Sequence, residues 1–246
     1  MAKRRHRHLR RAVTALLALA VVLGLLGVAT IKTSYQPSAA ALAALQSDDE
    51  VTVTFQDDGD LVFAPASGAS DRGIVFYPGG KVDQRAYAPL MQHFARRGFT
   101  CVLVRMPLNL AVLDPNAADG EQGAFPEVDH WYLGGHSLGG AMAASYAADH
   151  ADDYEGLLLC AAFSTKDLGE TDLEVASVYG TEDGVLKRDR YEECRANAPQ
   201  MTEDVIEGGC HAYFGDYGPQ AGDGTPTISR QDQMSHTASD LAALAE

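Results

Sequence analysis

A serine in a glycine-rich stretch is the first residue of this sequence that could carry chemistry. Ser137 is the central residue of G-H-S-L-G at residues 135–139, which matches the pattern G-x-S-x-G. An apolar stretch precedes it and small residues follow it, so the pattern predicts a strand, a sharp turn and a helix. Ser137 is therefore predicted to be a nucleophile, with the backbone N–H of Leu138 aimed at a developing oxyanion. The alternative is that Ser137 only caps the helix that follows.

A serine hydroxyl needs a base to remove its proton, and His211 is the histidine best placed to be that base. It follows a predicted terminal strand through a Gly208-Gly209 bend, in the order along the chain that this type of site requires. The other histidines of the body lie before Ser137, next to it or in predicted helices: His93, His130, His136, His150 and His236. The alternative for His211 is a loop histidine held by backbone contacts.

The acid that orients the base is expected between Ser137 and His211. A predicted strand at residues 175–179 runs into G-T-E-D-G, where the carboxylate of Asp183 could reach the imidazole. Glu182 is the alternative acid, although as the neighbour of Asp183 it should point away. A third reading is that Asp183 belongs to a solvated turn.

A second oxyanion donor is expected in the loop after the third strand, in Y-P-G-G-K at residues 77–81. The N–H of Gly80 is favoured because the backbone can approach a substrate there without a Cβ, and the N–H of Lys81 is the alternative. An ordinary glycine turn is the other interpretation. Tyr213 and Phe214, which follow the base, are candidates for an apolar wall at the substrate, or for simple core packing.

The elements that must position these residues alternate along the chain. Strands are predicted at residues 51–55, 61–64, 73–77, 99–104, 131–133, 157–161, 175–179 and 204–207, and helices at 85–97, 115–122, 138–148, 191–196 and 230–245. This alternation predicts an α/β fold with a mainly parallel sheet flanked by helices, and the opening hairpin at an antiparallel edge. Residues 163–173 are too few for a large cap domain, so an open site is expected.

The N-terminus carries a membrane signal. Residues 1–11 contain six basic residues and no acidic one, and residues 12–31 are uncharged. Twenty residues of helix span about 30 Å, the hydrocarbon thickness of a bilayer. We therefore expect a basic cytoplasmic terminus, one transmembrane anchor at 12–31, a tether at 32–50 and an exported single-pass catalytic domain at 51–246. The alternative is a signal peptide that is cleaved, which would release a secreted protein.

The net charge argues against nucleic-acid binding, and the positions of the four cysteines predict their state. The formal net charge is −15, and after the first 31 residues there are 34 acidic residues against 13 basic ones, so nucleic-acid binding is not expected. Cys101 and Cys160 lie in predicted strands and should be buried thiols. Cys194 and Cys210 are predicted either to form a disulfide bond in an oxidising compartment or to remain free. No metal or organic cofactor is expected.

Taken together, these segments resemble the α/β-hydrolase superfamily, and more narrowly its branch of dienelactone-hydrolase-like proteins. The segments that carry the resemblance are F-Y-P-G-G-K-V at residues 76–82, G-G-H-S-L-G-G-A-M-A at 134–143, G-T-E-D-G at 180–184, G-G-C-H-A at 208–212 and F-G-D-Y-G at 214–218. The resemblance implies an α/β-hydrolase fold, with Ser137 as nucleophile, Asp183 as acid and His211 as base. Dienelactone hydrolases have a cysteine where this chain has Ser137, so their substrate is not carried over.

The sequence thus predicts a serine hydrolase of the carboxylesterase type that cleaves an ester or similar acyl bond in a small molecule. Two other functions remain open at this stage. One is an α/β-hydrolase domain without activity that serves as a surface binding module. The other is an amidase or peptidase that uses the same three residues. The oligomeric state is not predicted.

Overall fold

The computed structural model describes residues 32–67 and 70–246 of the 246-residue chain. Residues from Tyr35 to Glu246 form one compact unit. The predicted anchor at residues 12–31 lies outside the described residues. Within the part of the chain that is described, no helix is both long and apolar enough to cross a bilayer.

Eight strands form a single sheet whose order is β1-β2-β4-β3-β5-β6-β7-β8. The strands are β1 (Val51–Phe55), β2 (Leu61–Pro65), β3 (Arg72–Tyr77), β4 (Phe99–Leu103), β5 (His130–His136), β6 (Gly156–Cys160), β7 (Glu174–Gly180) and β8 (Thr202–Ile206). The β1–β2 hairpin pairs in antiparallel fashion and joins β4 in the same way, while all pairs from β4 to β8 are parallel. The predicted sheet with an antiparallel edge is therefore confirmed.

Five α-helices that lie wholly within the described residues accompany the strands. They are α1 (Ala39–Ala43), α2 (Ala88–Ala95), α3 (Leu138–Asp149), α4 (Arg188–Cys194) and α5 (Arg230–Leu244). Successive residues of a strand point to opposite faces of the sheet, so Ile74 packs with the apolar side chains of α2 and α5 while Val75 packs with those of α3. The sheet is consequently covered on both faces, as buried parallel strands require.

One predicted helix is absent. Residues 115–121 form turns, and only a short 3₁₀ segment, Gln122–Ala124, follows. The hydroxyl of Tyr77 donates to the carbonyl of Pro115 and accepts from the N–H of Ala118, both at 3.0 Å. A buried side chain thus takes the backbone hydrogen bonds that a helix would have used, which is why the prediction was wrong.

The predicted tether is not a free linker beyond Tyr35. The N–H of Ser38 donates to the carbonyl of Asp216, and the Arg96 guanidinium pairs with Asp48 and Glu50. Ala41, which belongs to this segment, is completely buried. The compact unit therefore begins before residue 51, because the segment buries apolar surface of α1 against the body.

Candidate active site

Ser137 stands on a sharp turn between the last residue of β5 and the first residue of α3. Its backbone has φ 53° and ψ −122°, a conformation that residues with a side chain rarely adopt. Its N–H donates to the carbonyl of Cys160 at 2.9 Å, which anchors the turn to the neighbouring strand. A Cβ atom on Gly139 would lie 2.3 Å from the carbonyl oxygen of Pro78, so only glycine fits there. The local sequence therefore builds the predicted strand-turn-helix and keeps Ser137 partly exposed.

Asp183 and His211 form a buried pair at the carboxyl ends of β7 and β8. The His211 Nδ1 and Asp183 Oδ2 atoms are 2.9 Å apart, and both side chains are excluded from solvent. Because a carboxylate only accepts hydrogen bonds, Nδ1 carries the proton and Nε2 offers a lone pair. The other oxygen of Asp183 accepts the N–H groups of Val185 and Leu186 at 2.9 and 2.8 Å. This arrangement holds the imidazole in the tautomer that a general base requires.

The environment keeps the Asp183 carboxylate ionised. Burial acts to raise its pKa, but the hydrogen bond from His211 and the two backbone N–H groups outweigh that effect and lower the pKa below its ordinary value. Glu182, the alternative acid, is exposed and its carboxylate is hydrogen-bonded to the Thr181 hydroxyl instead. Asp183 is therefore the carboxylate that the structure brings to His211.

The Nε2 atom of His211 is buried and has no hydrogen-bond partner among the described residues. It does not form a hydrogen bond with the Ser137 hydroxyl in this structure. His136, which directly precedes Ser137, has its ring 4.5 Å from the ring of His211, centroid to centroid. The structure thus brings the base next to the turn that bears the serine. Catalytic hydrogen bonds are often long in the absence of substrate and tighten when it binds.

His136 and Tyr87 support the site through contacts that were not predicted from the sequence. The Tyr87 hydroxyl accepts the N–H of Gly79 at 2.9 Å and lies within hydrogen-bond distance, 2.7 Å, of Nδ1 of His136. Burial and the nearby His211 lower the pKa of His136 well below its ordinary value, so the ring is neutral. The only signal in the sequence was the position of His136 next to Ser137.

Two backbone N–H groups are available for an oxyanion, those of Gly80 and Leu138. Neither donates to an acceptor in residues 32–67 and 70–246. The two segments touch, because a Cβ on Gly80 would lie 2.8 Å from Cδ2 of Leu138. The prediction of Lys81 as the alternative donor is wrong, because its N–H already donates to the carbonyl of Asn109 at 2.7 Å.

The two aromatic residues predicted as a substrate wall have other surroundings. Phe214 is fully buried, with its ring 5.4 Å from that of His136, so it is a core residue and not a wall. Tyr213 is partly buried, and the guanidinium of Arg230 lies 4.2 Å from its ring centroid. The core-packing alternative is therefore correct for Phe214.

The four cysteines are free thiols, so no bond joins Cys194 to Cys210. Cys101 and Cys160 are buried, as predicted. Burial, together with the charge and hydrogen bond of Asp223, raises the pKa of the Cys210 thiol to about 12. A thiol with so high a pKa stays protonated and reacts slowly.

Two clusters among the described residues carry groups of the kind that bind cations, Asp204 with His236 and Asp240, and Asp58 with Asp60 and Glu121. Neither contains any of the residues predicted to act in catalysis.

The groups around Ser137 and His211 are of the kind that can remove a proton from a serine hydroxyl and stabilise an oxyanion through backbone N–H groups.

Comparison with known proteins places the chain in a family. Residues 73–235, more than half of the chain, match the alpha/beta hydrolase family. A thermostable esterase from Pseudomonas putida superposes with a TM-score of 0.59 at 15% sequence identity, over 84% of this chain and 88% of that one. Carboxyl esterase 2 from the mycorrhizal fungus Tuber melanosporum gives 0.57 at 12% identity, over 87% and 90%. Among curated proteins, no sequence matches. The chain therefore belongs to the alpha/beta hydrolase family.

Proposed function

We propose that this protein is a serine hydrolase that cleaves small-molecule esters. The observation that carries the proposal is the buried Asp183–His211 pair: the imidazole ring lies 4.5 Å from that of His136, the residue before the strained Ser137, and its Nε2 has no partner among the described residues. A neutral imidazole held in this tautomer is the base that a serine nucleophile needs. The esterases that share the fold support an ester as the substrate class.

The reaction follows from the groups at the site. The Ser137 oxygen attacks the ester carbonyl as Nε2 of His211 takes its proton, and the negative charge on the tetrahedral oxygen is stabilised by the N–H groups of Gly80 and Leu138. The intermediate collapses with loss of the alcohol, which receives the proton from His211. Water, deprotonated by the same imidazole, then attacks the acyl-enzyme. The second tetrahedral intermediate collapses as His211 returns that proton to the Ser137 oxygen, which releases the carboxylic acid.

Access to the site supports small, exposed esters as substrates. Residues 161–173, between β6 and β7, contain no helix or strand and therefore no helical cap. Lys81, the last residue of the loop at residues 77–81 that carries Gly80, is exposed to solvent. We expect short acyl chains to be processed without a conformational opening step.

The first experiment is labelling of the full-length protein with a fluorophosphonate, which reacts only with an activated serine. Wild-type protein should be labelled, and Ser137→Ala should not. The same two proteins are then assayed with p-nitrophenyl esters of increasing chain length and with the matching p-nitroanilides. Hydrolysis of esters but not anilides is expected. Absence of labelling and of turnover in the wild type would instead favour a binding module, and anilide cleavage would favour an amidase.

We also propose that the domain is exported and held at a membrane by residues 12–31. The support is the charge pattern of the first 31 residues, with six basic residues before an uncharged stretch. Protease added outside intact cells should digest the domain while the protein sediments with membranes. Recovery of the protein in the medium, shortened at its N-terminus, would indicate a cleaved signal peptide, and protection from protease would contradict export.

A further inference from the structure

Asp223 holds the two loops that carry the acid and the base. Its carboxylate accepts the N–H of His211 at 3.1 Å and the N–H of Ala212 at 2.8 Å. It also accepts the N–H of Gly184, the residue after Asp183, at 3.2 Å, and that of its own neighbour Gly224 at 2.9 Å. Hydrogen bonds to an ionised group are about twice as strong as those between neutral groups. One side chain therefore connects two segments that are distant in the sequence.

The backbone around Asp223 is fitted closely between these loops. A Cβ on Gly184 would lie 2.4 Å from the carbonyl oxygen of Gly222, and a Cβ on Gly224 would lie 2.1 Å from that of Glu182. The N–H of Gly224 also donates to the carbonyl of Glu182 at 3.1 Å. The glycines in this contact allow the backbones to approach, so the carboxylate of Asp223 reaches both loops at once.

The contacts of Asp223 bear on the geometry of the acid-base pair. His211 and Ala212 are the first residues of the 3₁₀ helix His211–Phe214. The hydrogen bonds from their N–H groups to Asp223 hold the backbone of His211 in place. Gly184 fixes the backbone beside the acid. The 2.9 Å hydrogen bond between Asp183 and His211 depends on the separation of these two backbones, and Asp223 spans that separation. Asp223 forms no ion pair with a described lysine, arginine or histidine, so its charge is directed at these N–H groups and at the Cys210 thiol.

We propose that Asp223 is a positioning residue that sets the Asp183–His211 hydrogen bond and thereby the rate of the chemical step. The inference rests on the proposed function for its effect on rate, but its effect on the hydrogen bond does not depend on activity. Asp223 acts through the backbone of His211 and does not contact substrate. A misplacement of catalytic groups by about 1 Å can lower a rate by about a hundredfold.

The test compares Asp223→Asn and Asp223→Ala with the wild type and with Glu182→Gln, all as full-length protein. Glu182→Gln removes a carboxylate from the loop that carries Asp183, but that carboxylate is exposed, and within the described part of the chain it bonds to Thr181 alone. Three quantities are measured: kcat and KM with p-nitrophenyl acetate, Tm, and the far-downfield proton NMR resonance of the His211 Nδ1–H bonded to Asp183. Asp183→Asn identifies that resonance by removing it.

We expect kcat to fall about tenfold in Asp223→Asn and about a hundredfold in Asp223→Ala, with KM within about twofold of the wild type. The Nδ1–H resonance should broaden or disappear in both Asp223 variants and persist in Glu182→Gln. Asp223→Asn keeps the size of the side chain and part of its acceptor capacity, so it is the variant to rely on if Asp223→Ala does not fold.

Two results would overturn the proposal. One is an unchanged resonance and kcat in the Asp223 variants. The other is a lower Tm with the resonance intact, which would give Asp223 a purely structural role. If the wild type neither turns over esters nor reacts with a fluorophosphonate, the proposed function fails. The resonance then still decides whether Asp223 positions the pair.

Discussion

The tautomer and orientation of the His211 imidazole are set by the buried carboxylate of Asp183. Asp183 is buried, and among the described residues it accepts hydrogen bonds from the imidazole and from two backbone N–H groups alone. An ionised carboxylate in such a place is stabilised by these donors. It is therefore the side chain on which the orientation of the base depends.

Asp183→Asn is expected to lower kcat/KM about ten-thousandfold, because an amide can donate to Nδ1 and favour the tautomer that is not a base at Nε2. KM for a short ester should change little. Glu182→Gln is the matched control and should keep kcat/KM within about twofold of the wild type. Steady-state kinetics with p-nitrophenyl acetate measure both, and a loss below tenfold in Asp183→Asn would show that Asp183 does not orient the base.

The types of the site residues were predictable from the sequence, but their surroundings were not. Ser137, Asp183 and His211 follow from spacing and from the order of strands along the chain. Whether Lys81 N–H is free, and whether Phe214 faces a substrate, depends on which segment packs against each residue. Such contacts come from tertiary structure, and nothing local in the sequence encodes them.

Among the elements, the segment before β1 contributes more than its composition indicated. Gln92 of α2 donates through Nε2 to the carbonyl of Ala44 at 3.0 Å, and Leu45 is 9% exposed. Ala41 packs with no exposure at all. The alanine-rich stretch is thus part of the fold, because its small side chains allow it to lie close to α2.

A chain that begins at residue 35 is expected to match the Tm of the full protein, while a chain that begins at residue 51 should be less stable by about 3 kcal/mol. The loss comes from the buried apolar surface and hydrogen bonds of residues 35–50, and for a domain of this size it corresponds to about 6 to 12 °C in Tm. Thermal unfolding followed by circular dichroism measures the difference. Equal Tm values for the two truncated chains would mean that the segment only rests on the surface.

The regular elements were predicted well where periodicity was strong. The expected helix at residues 85–97 is present as a 3₁₀ turn, Gln84–Tyr87, followed by α2, and Gly98 follows it with φ 88°. The stretch at residues 115–122 was missed because a distant hydroxyl, that of Tyr77, bonds its backbone. Hydrophobic periodicity therefore predicted the helix that packs by one face. It did not predict the structure of residues 115–122, where a side chain from another element takes the place of helical hydrogen bonds.

At the scale of the whole molecule, several carboxyl groups are held in unfavourable surroundings. Burial and nearby carboxylates raise the pKa of Asp60 to about 6, that of Glu121 to about 7 and that of Asp240 to about 7. Each of these groups binds a proton more tightly in the folded protein than in the unfolded chain. Folding stability must therefore increase as the pH falls towards these pKa values.

We expect a higher Tm at pH 6.5 than at pH 8, and a smaller difference in Asp240→Asn. Buried His136 and half-buried His93 have lowered pKa values and act in the opposite direction as the pH falls through their ordinary value of 6.5, so they offset part of this gain at pH 6.5. Carboxylates with lowered pKa values, such as Asp183, matter only at still lower pH. Thermal unfolding at the two pH values tests this, and a Tm that rises from pH 6.5 to pH 8 would contradict it.

The backbone of Ser137 has a consequence for the durability of the protein. A glycine adopts a positive φ without penalty, whereas any residue with a side chain is strained there by about 1 to 3 kcal/mol. Ser137→Gly should consequently outlast Ser137→Ala on heating, by about 1 kcal/mol in the free energy of unfolding, although both lack the hydroxyl. The replacement that relieves the backbone strain at residue 137 would then also remove the hydroxyl that we propose as the nucleophile.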